Sequence, residues 1–175
     1  MVRAMRRKMA AEPKSSRPHM PGYGLAEARG GKGLLPWKWA LKSIAGARAY
    51  WIATTRPDGR PHLMTVWAVW LDGQLLFSTG KNSRKGRNLA KNSNCVLCPR
   101  VEGQVVIIEG VAKRTKDAAL LKTFVKAYYK KYKWDMSTMM DEPVFALQPR
   151  VVFGWSEQPE ENFARTATRW KFAEY

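Results

Sequence analysis

The sequence predicts a mainly β protein, an antiparallel barrel with peripheral helices. Three observations predict it. Five runs rich in β-branched and aromatic residues lie between residues 50 and 114, with turn chemistry between them. The order of periodic segments is helix, five strands, helix, three strands, and no internal repeat accompanies it. The chain of 175 residues, 45% apolar, is long enough for one domain with a real core.

Residues 1–22 are basic, with Pro and Ser and no apolar periodicity, which predicts a flexible tail ahead of a domain over 23–175. Gly30, Gly31 and Gly33 continue the loop. Pro36 suits the first turn of a helix, and Trp37, Ala40, Leu41 and Ile44 recur at helical spacing up to about Ala47. Strands follow at 50–56 and 61–71, joined by the turn Pro57-Asp58-Gly59. The second strand reads as buried on both faces, because Leu63, Met64 and 66–71 form an apolar run. Asp72-Gly73 is a two-residue hairpin signal, and 74–79 is the third strand. Segment 81–91 reads as a short helix capped by Ser83. A strand pair at 94–99 and 104–114 turns around Val101-Glu102-Gly103. A helix begins near Thr115 as N-cap, with Leu121, Phe124, Val125, Tyr128 and Tyr132 on one face and Lys122, Lys126 and Lys130 on another. Residues 144–147, 150–156 and 166–172 read as three more strands.

Charge narrows the function classes. The net charge of +17 divides among residues 1–20 (+5), 81–91 (+5) and 113–133 (+7), and the remaining sequence is neutral. An anionic partner is implied, and composition leaves open nucleic acid, lipid headgroups or a phosphorylated small molecule. No apolar run approaches the roughly 20 residues of a membrane-crossing helix, and no apolar stretch follows the basic N-terminus, so the expected location is cytoplasmic. GxSxG, HExxH, Walker and GxGxxG patterns are absent, which counts against a hydrolase and is neutral for a cofactor-dependent oxidoreductase.

The most informative stretch runs from Phe77 to Leu89. A strand ends in Ser78 and Thr79, a loop follows, and a helix starts with Ser83, Arg84 and Lys85. Backbone N–H groups, the helix dipole, two cations and several hydroxyls suit a phosphate monoester. A solvated basic turn with an ordinary serine cap is the plainer reading. Trp67, Trp70, Trp155 and Trp170 suit packing against a ring system, or core and subunit interface. Cys95 and Cys98 have redox or zinc spacing, but His19 and His62 are isolated, and residues three apart on a strand face opposite sides. No metal site is expected, and the cysteines read as buried and inert. The lysines at 122, 126 and 130 read as a solvated helix face. No residue stands out as a catalytic acid, base or nucleophile; His62 is a weak lone candidate.

Asp58-Gly59-Arg60-Pro61-His62, then 66–70, Phe77-Ser78-Thr79 and Ser83-Arg84-Lys85 resemble the pyridoxamine 5'-phosphate oxidase-like split β-barrel superfamily. Residues 33–37 and 168–172 are similar to its flavin/deazaflavin oxidoreductase branch. The resemblance implies a cofactor-binding split β-barrel, a homodimer with the cofactor at the interface, and hydride transfer to or from a small unsaturated organic substrate. The cofactor is coenzyme F420, which leads because Lys81, Arg87 and Lys91 surround the phosphate segment, or FMN. It further implies that Arg84 and Lys85 hold the cofactor phosphate, assisted by Ser83, Ser78 and Thr79. Met64, Thr65, Val66 and Trp67 would run beside the ring; Gln104, Trp155 and Arg169 would also reach the cofactor. The oxidase's arginine and lysine at the two ends of its ring strand, and its late Arg/His pair, have no clear counterparts, which counts against pyridoxamine phosphate as substrate. The alternatives are an FMN-dependent relative lacking that substrate, a basic small-barrel nucleic-acid-binding module, and a cofactor carrier or haem-associated relative. Specific nucleic acid and membrane are not expected as partners.

Overall fold

The computed structural model describes residues 12–27, 32–136, 141–159 and 162–173. In chain order the elements are β1 (Lys14–Ser16), α1 (Trp37–Gly46), β2 (Tyr50–Thr55), β3 (Pro61–Val66), β4 (Ala68–Leu71), β5 (Gln74–Ser78), α2 (Arg84–Lys91), β6 (Asn94–Pro99), β7 (Gln104–Arg114), α3 (Ala118–Tyr132), β8 (Val144–Ser156), α4 (Asn162–Thr166) and β9 (Thr168–Lys171). All pairings are antiparallel. The hydrogen-bonded order is β1-β9-β8-β7-β6-β2-β3, with β5 also on β8 and β4 on β5. Only Trp67 separates β3 from β4, so the strand at one edge continues directly into the strand at the other. The sheet therefore rolls into a barrel that the chain itself closes, a split β-barrel with peripheral helices.

Two cores hold it. Inside the barrel, Ile52, Phe77, Leu97, Ile108, Leu147, Val152 and Trp170 pack with Ala40 and Ile44 of α1. Outside, Val69, Leu76, Val144 and Ala146 take the inner face of α3, built from Leu120, Phe124, Tyr128 and Tyr132. The Tyr132 hydroxyl accepts from the Ala68 N–H at 2.9 Å and donates to the Ala68 carbonyl at 2.8 Å, pinning the chain where β3 becomes β4. The hairpin at Asp72-Gly73 has both residues at positive φ, 48° and 79°, as a two-residue turn with the twist of its strands requires. No helix among the described residues is long and apolar enough to cross a membrane.

Several expectations are corrected. Residues 14–16 are a strand on β9, not part of a mobile tail. Arg17 fastens them: its guanidinium donates to the carbonyls of Ala26, Ala167 and Arg165 at 2.9, 2.7 and 2.6 Å. Residues 1–11, Gly30 and Gly31 lie outside the described residues. The 61–71 run is broken at Trp67, and its first half is an edge strand among the described residues, with Leu63 59% and Met64 48% exposed on its two faces because nothing described packs over either. The cap of α3 is Asp117, whose carboxylate accepts from the N–H groups of Ala119 and Leu120; Thr115 accepts from Asp117 one step earlier. Residues 144–156 form one strand, and the register slips there opposite Glu109 and Gly110. Pro149 sits at that irregularity, where a missing donor is tolerated. Thr166 ends α4 and does not open β9.

Candidate functional site

The helix start at residue 83 is built as the sequence predicts. Ser83 has extended dihedrals, and its hydroxyl accepts from the Gly86 N–H at 3.1 Å. The Thr79 and Ser83 hydroxyls are 3.2 Å apart, and Thr79 is buried. Gly86 is required: a Cβ there would run into the Gly80 carbonyl oxygen. Asn88, fully buried, donates to the Thr54 hydroxyl at 3.0 Å and anchors α2 on β2.

Much of the predicted hydrogen-bonding set is already engaged. Ser78 donates to the Pro143 carbonyl at 3.2 Å. Ser83 serves as cap, and the Lys81 N–H donates to Glu142 at 2.7 Å. Arg87 donates to the Asn82 carbonyl at 2.9 Å, and Lys91 lies in the last turn of α2, away from the phosphate segment. Among the described residues no such internal bond engages Arg84 or Lys85; burial holds the Lys85 ammonium below its usual range.

Facing them across the β2–β3 turn are two residues outside the predicted set. Arg56 Nε and His62 Nδ1 are buried and have no hydrogen-bond partner among the described residues. Burial, then the charges of Arg56, Lys85 and Arg84, push His62 below its usual value. Asp58, in the same turn, is bound to Arg60 at 2.8 Å and held below the carboxylate range mainly by that bond. Four basic side chains thus converge where the neighbouring carboxylate is committed elsewhere. The signal in the sequence was Arg56 directly before Pro57-Asp58-Gly59, two strand ends from the Ser-Arg-Lys helix start.

The strand β3 leads away from this cluster. Met64 and Thr65 are exposed, Val66 turns into the core, and Trp67 is 42% exposed, stacked on Tyr132 with ring centroids 4.8 Å apart and planes at 7°. The outer edge of β3 offers backbone donors and acceptors that no strand among the described residues takes up. The rest of the predicted set is elsewhere. Gln104 accepts from the Ser43 hydroxyl, Trp155 packs edge-on against Phe163, and Arg169 donates to Ser16 at 3.1 Å. In the hydrogen-bonded order their strands β7, β8 and β9 are three, four and five positions from β3. Ser78 pairs with Val144, so Trp155 lies roughly 35 Å further along β8 at about 3.3 Å per residue.

The remaining sequence candidates resolve into structure. Trp170 is fully buried, with Trp37 and Trp39 against it; Trp70 meets Trp37. Cys95 and Cys98 are free thiols; burial pushes Cys95 up to about 12. No cluster of three or more potential metal ligands occurs among the described residues.

The family described as Pyridoxamine 5'-phosphate oxidase matches residues 40–156. A pyridoxine/pyridoxamine 5'-phosphate oxidase from Acidothermus cellulolyticus is 38% identical over 69 residues, 38% of this chain and 31% of that protein, so the match spans about a third of the relative's length. A conserved hypothetical protein from Mycobacterium tuberculosis superposes with a TM-score of 0.62 at 20% identity, covering 70% of this chain and 84% of its own. The haem storage protein of Vibrio cholerae (TM-score 0.57, 17% identity, 64% and 88% coverage) and an F420 reductase (0.51, 17%, 63% and 94%) have the same fold.

Proposed function

Because the chain belongs to the pyridoxamine 5'-phosphate oxidase family, we propose that it is a cytoplasmic, homodimeric oxidoreductase that holds coenzyme F420 or FMN and moves hydride to or from a small unsaturated organic substrate. The observation that carries this reading is the cation cluster at the head of an open-edged strand. Phosphate recognition needs convergent positive donors, and Arg84 and Lys85 supply them beside buried, unpartnered nitrogens of Arg56 and His62. A flat ring needs a surface to lie on, and exposed Met64 of β3 and Trp67 just after it supply one, beside a β3 edge that no strand among the described residues takes up.

The cofactor, when bound, supplies the hydride chemistry. The chain's residues bind and orient: Arg84 and Lys85 fix the phosphate end, β3 fixes the ring plane, and Tyr132 keeps Trp67 in place through its two bonds to Ala68. The dimer reading is supported by exposed apolar side chains on β3 and by the separation of Gln104, Trp155 and Arg169 from Lys85. A single cofactor reaching both groups would take the second from a partner copy. F420 leads on the resemblance of residues 33–37 and 168–172.

The test is a visible spectrum of the purified protein, followed by fluorescence titration with F420 and FMN and a mass measurement in solution. Binding of one cofactor by a dimer is expected. Binding of neither, with tight salt-sensitive binding of single-stranded DNA or stoichiometric binding of haem instead, overturns the proposal.

A further inference from the structure

We propose that Arg56 and His62 complete the anion seat begun by Arg84 and Lys85, and that His62 takes up a proton when a phosphate group arrives. The inference deepens the proposed function and rests on its placement of the phosphate end.

Geometry carries it. Thr54 pairs with His62 and Thr55 with Pro61, so the end of β2 and the start of β3 lie side by side, with Arg56 just beyond. The α2 helix packs on both strands and is locked there by Asn88 and Thr54. Buried side-chain nitrogens are normally hydrogen-bonded, because an unpaired one forfeits its hydration with nothing in return. Arg56 Nε, a donor, and His62 Nδ1, a donor once the ring is protonated, sit on adjoining strand ends among further cations and have no partner among the described residues. An oxyanion is the acceptor that satisfies them.

The charges facing His62 are Arg56 at the end of β2 and Arg84 and Lys85 on α2. The nearby carboxylate of Asp58 is bound by both Nε and Nη2 of Arg60. In the free protein, burial and three positive neighbours hold the His62 pKa below its usual value. A bound phosphate reverses the sign of the local field and favours imidazolium. Binding therefore takes up a proton between the free and bound pKa values of His62, and affinity strengthens as pH falls through that window. A phosphate monoester, FMN or inorganic phosphate, adds an opposing loss as its own second ionisation, near about 6, is crossed. The phosphodiester of F420 has no second phosphate ionisation, so that opposing loss is absent, and the NMR signals of His62 separate its titration from that of the F420 ring hydroxyl.

The chain's two histidines make the measurement direct. Their ring protons are followed by proton NMR from pH 5 to 8.5, without ligand, with inorganic phosphate, with FMN and with F420, and His19→Gln assigns them. The expected result is an upward shift of the His62 pKa by about one unit or more on adding phosphate or whichever cofactor binds. In Arg56→Gln the ligand-free His62 pKa rises, because one repelling cation is gone, and the phosphate-induced shift shrinks. A cofactor that binds without moving His62 overturns this inference and leaves the proposed function standing. Phosphate that moves His62 while neither cofactor binds supports the seat and overturns the function. No shift with phosphate and no cofactor binding overturns both. The wild-type titration decides even where a variant fails to fold.

Discussion

Segments 81–91 and 113–133 carry net charges of +5 and +7, and the smaller one is the more informative. In the second, Lys122, Lys126 and Lys130 stand exposed along α3, four residues apart, while the opposite face of the helix is packed. In the first, Lys85 is half-buried and its charge acts on His62, which like Arg56 has a buried nitrogen without a partner among the described residues. Charge at a solvated helix face is neutralised by water and counterions. Charge beside unsatisfied buried donors is a demand for a ligand. Convergence, more than quantity, marks the site.

Several measurements break or sharpen this contrast. On α3 the packed face should matter far more than the charged one. Phe124, fully buried, should cost about 3–5 kcal/mol on replacement by alanine, read by denaturant unfolding; a loss under about 1 kcal/mol would mean that α3 is only loosely docked. On α2, Lys85→Ala should weaken cofactor binding roughly ten- to a hundredfold, as expected for loss of a charge-assisted hydrogen bond; unchanged affinity in a fluorescence titration removes the phosphate assignment.

A smaller effect concerns Lys131, which separates the two faces of α3. Its ammonium donates to Tyr50 and to the Ala68 carbonyl, both at 3.0 Å, and burial lowers its pKa to about 8. The folded state thus holds fewer protons than the unfolded chain between about pH 8 and the ordinary lysine value near 10.4. Lys131 therefore contributes a rise of stability with pH across that window, the buried Cys95 thiol contributes a fall, and Lys131→Gln should make the net slope more negative than in the wild type. The smallest effect is expected from replacing Lys122, Lys126 and Lys130 together by glutamine. Cofactor affinity should stay within about twofold and stability should gain a few tenths of a kcal/mol as like-charge i,i+4 pairs disappear. A tenfold loss of affinity would place α3 in the site.

The fold was largely legible because its signals are local. Strands β6 and β7 and the turn at Gly103 match the expected boundaries, as do the Asp72-Gly73 hairpin and the Ser83 cap. The misses are non-local. Whether Leu63 and Met64 are covered depends on what packs over the two faces of β3, and no property of residues 61–66 encodes that. The expected break between residues 147 and 150 is absent, because a bulge on the β7–β8 pair admits Pro149 within one continuous strand. The site was legible for the same reason, and to the same extent. Ser83, Arg84 and Lys85 announce a helix start, but Arg56 and His62 join them only once β2 and β3 are paired. Ser78 showed its hydroxyl in the sequence and hid its acceptor, Pro143, 65 residues away.

The Arg17 clasp has a consequence for synthesis. Its carbonyl partner Ala167 lies 150 residues later, and β1 can pair only with β9. Residues 14–17 are made before their partners and stay without them until residues 165–171, about 150 positions later, have followed. Strands β2 to β8 pair among themselves, apart from the β8–β9 pair, so the clasp fastens β1 and β9 onto strands that need neither of them to pair. Shortening the chain from either side of that clasp should loosen the other.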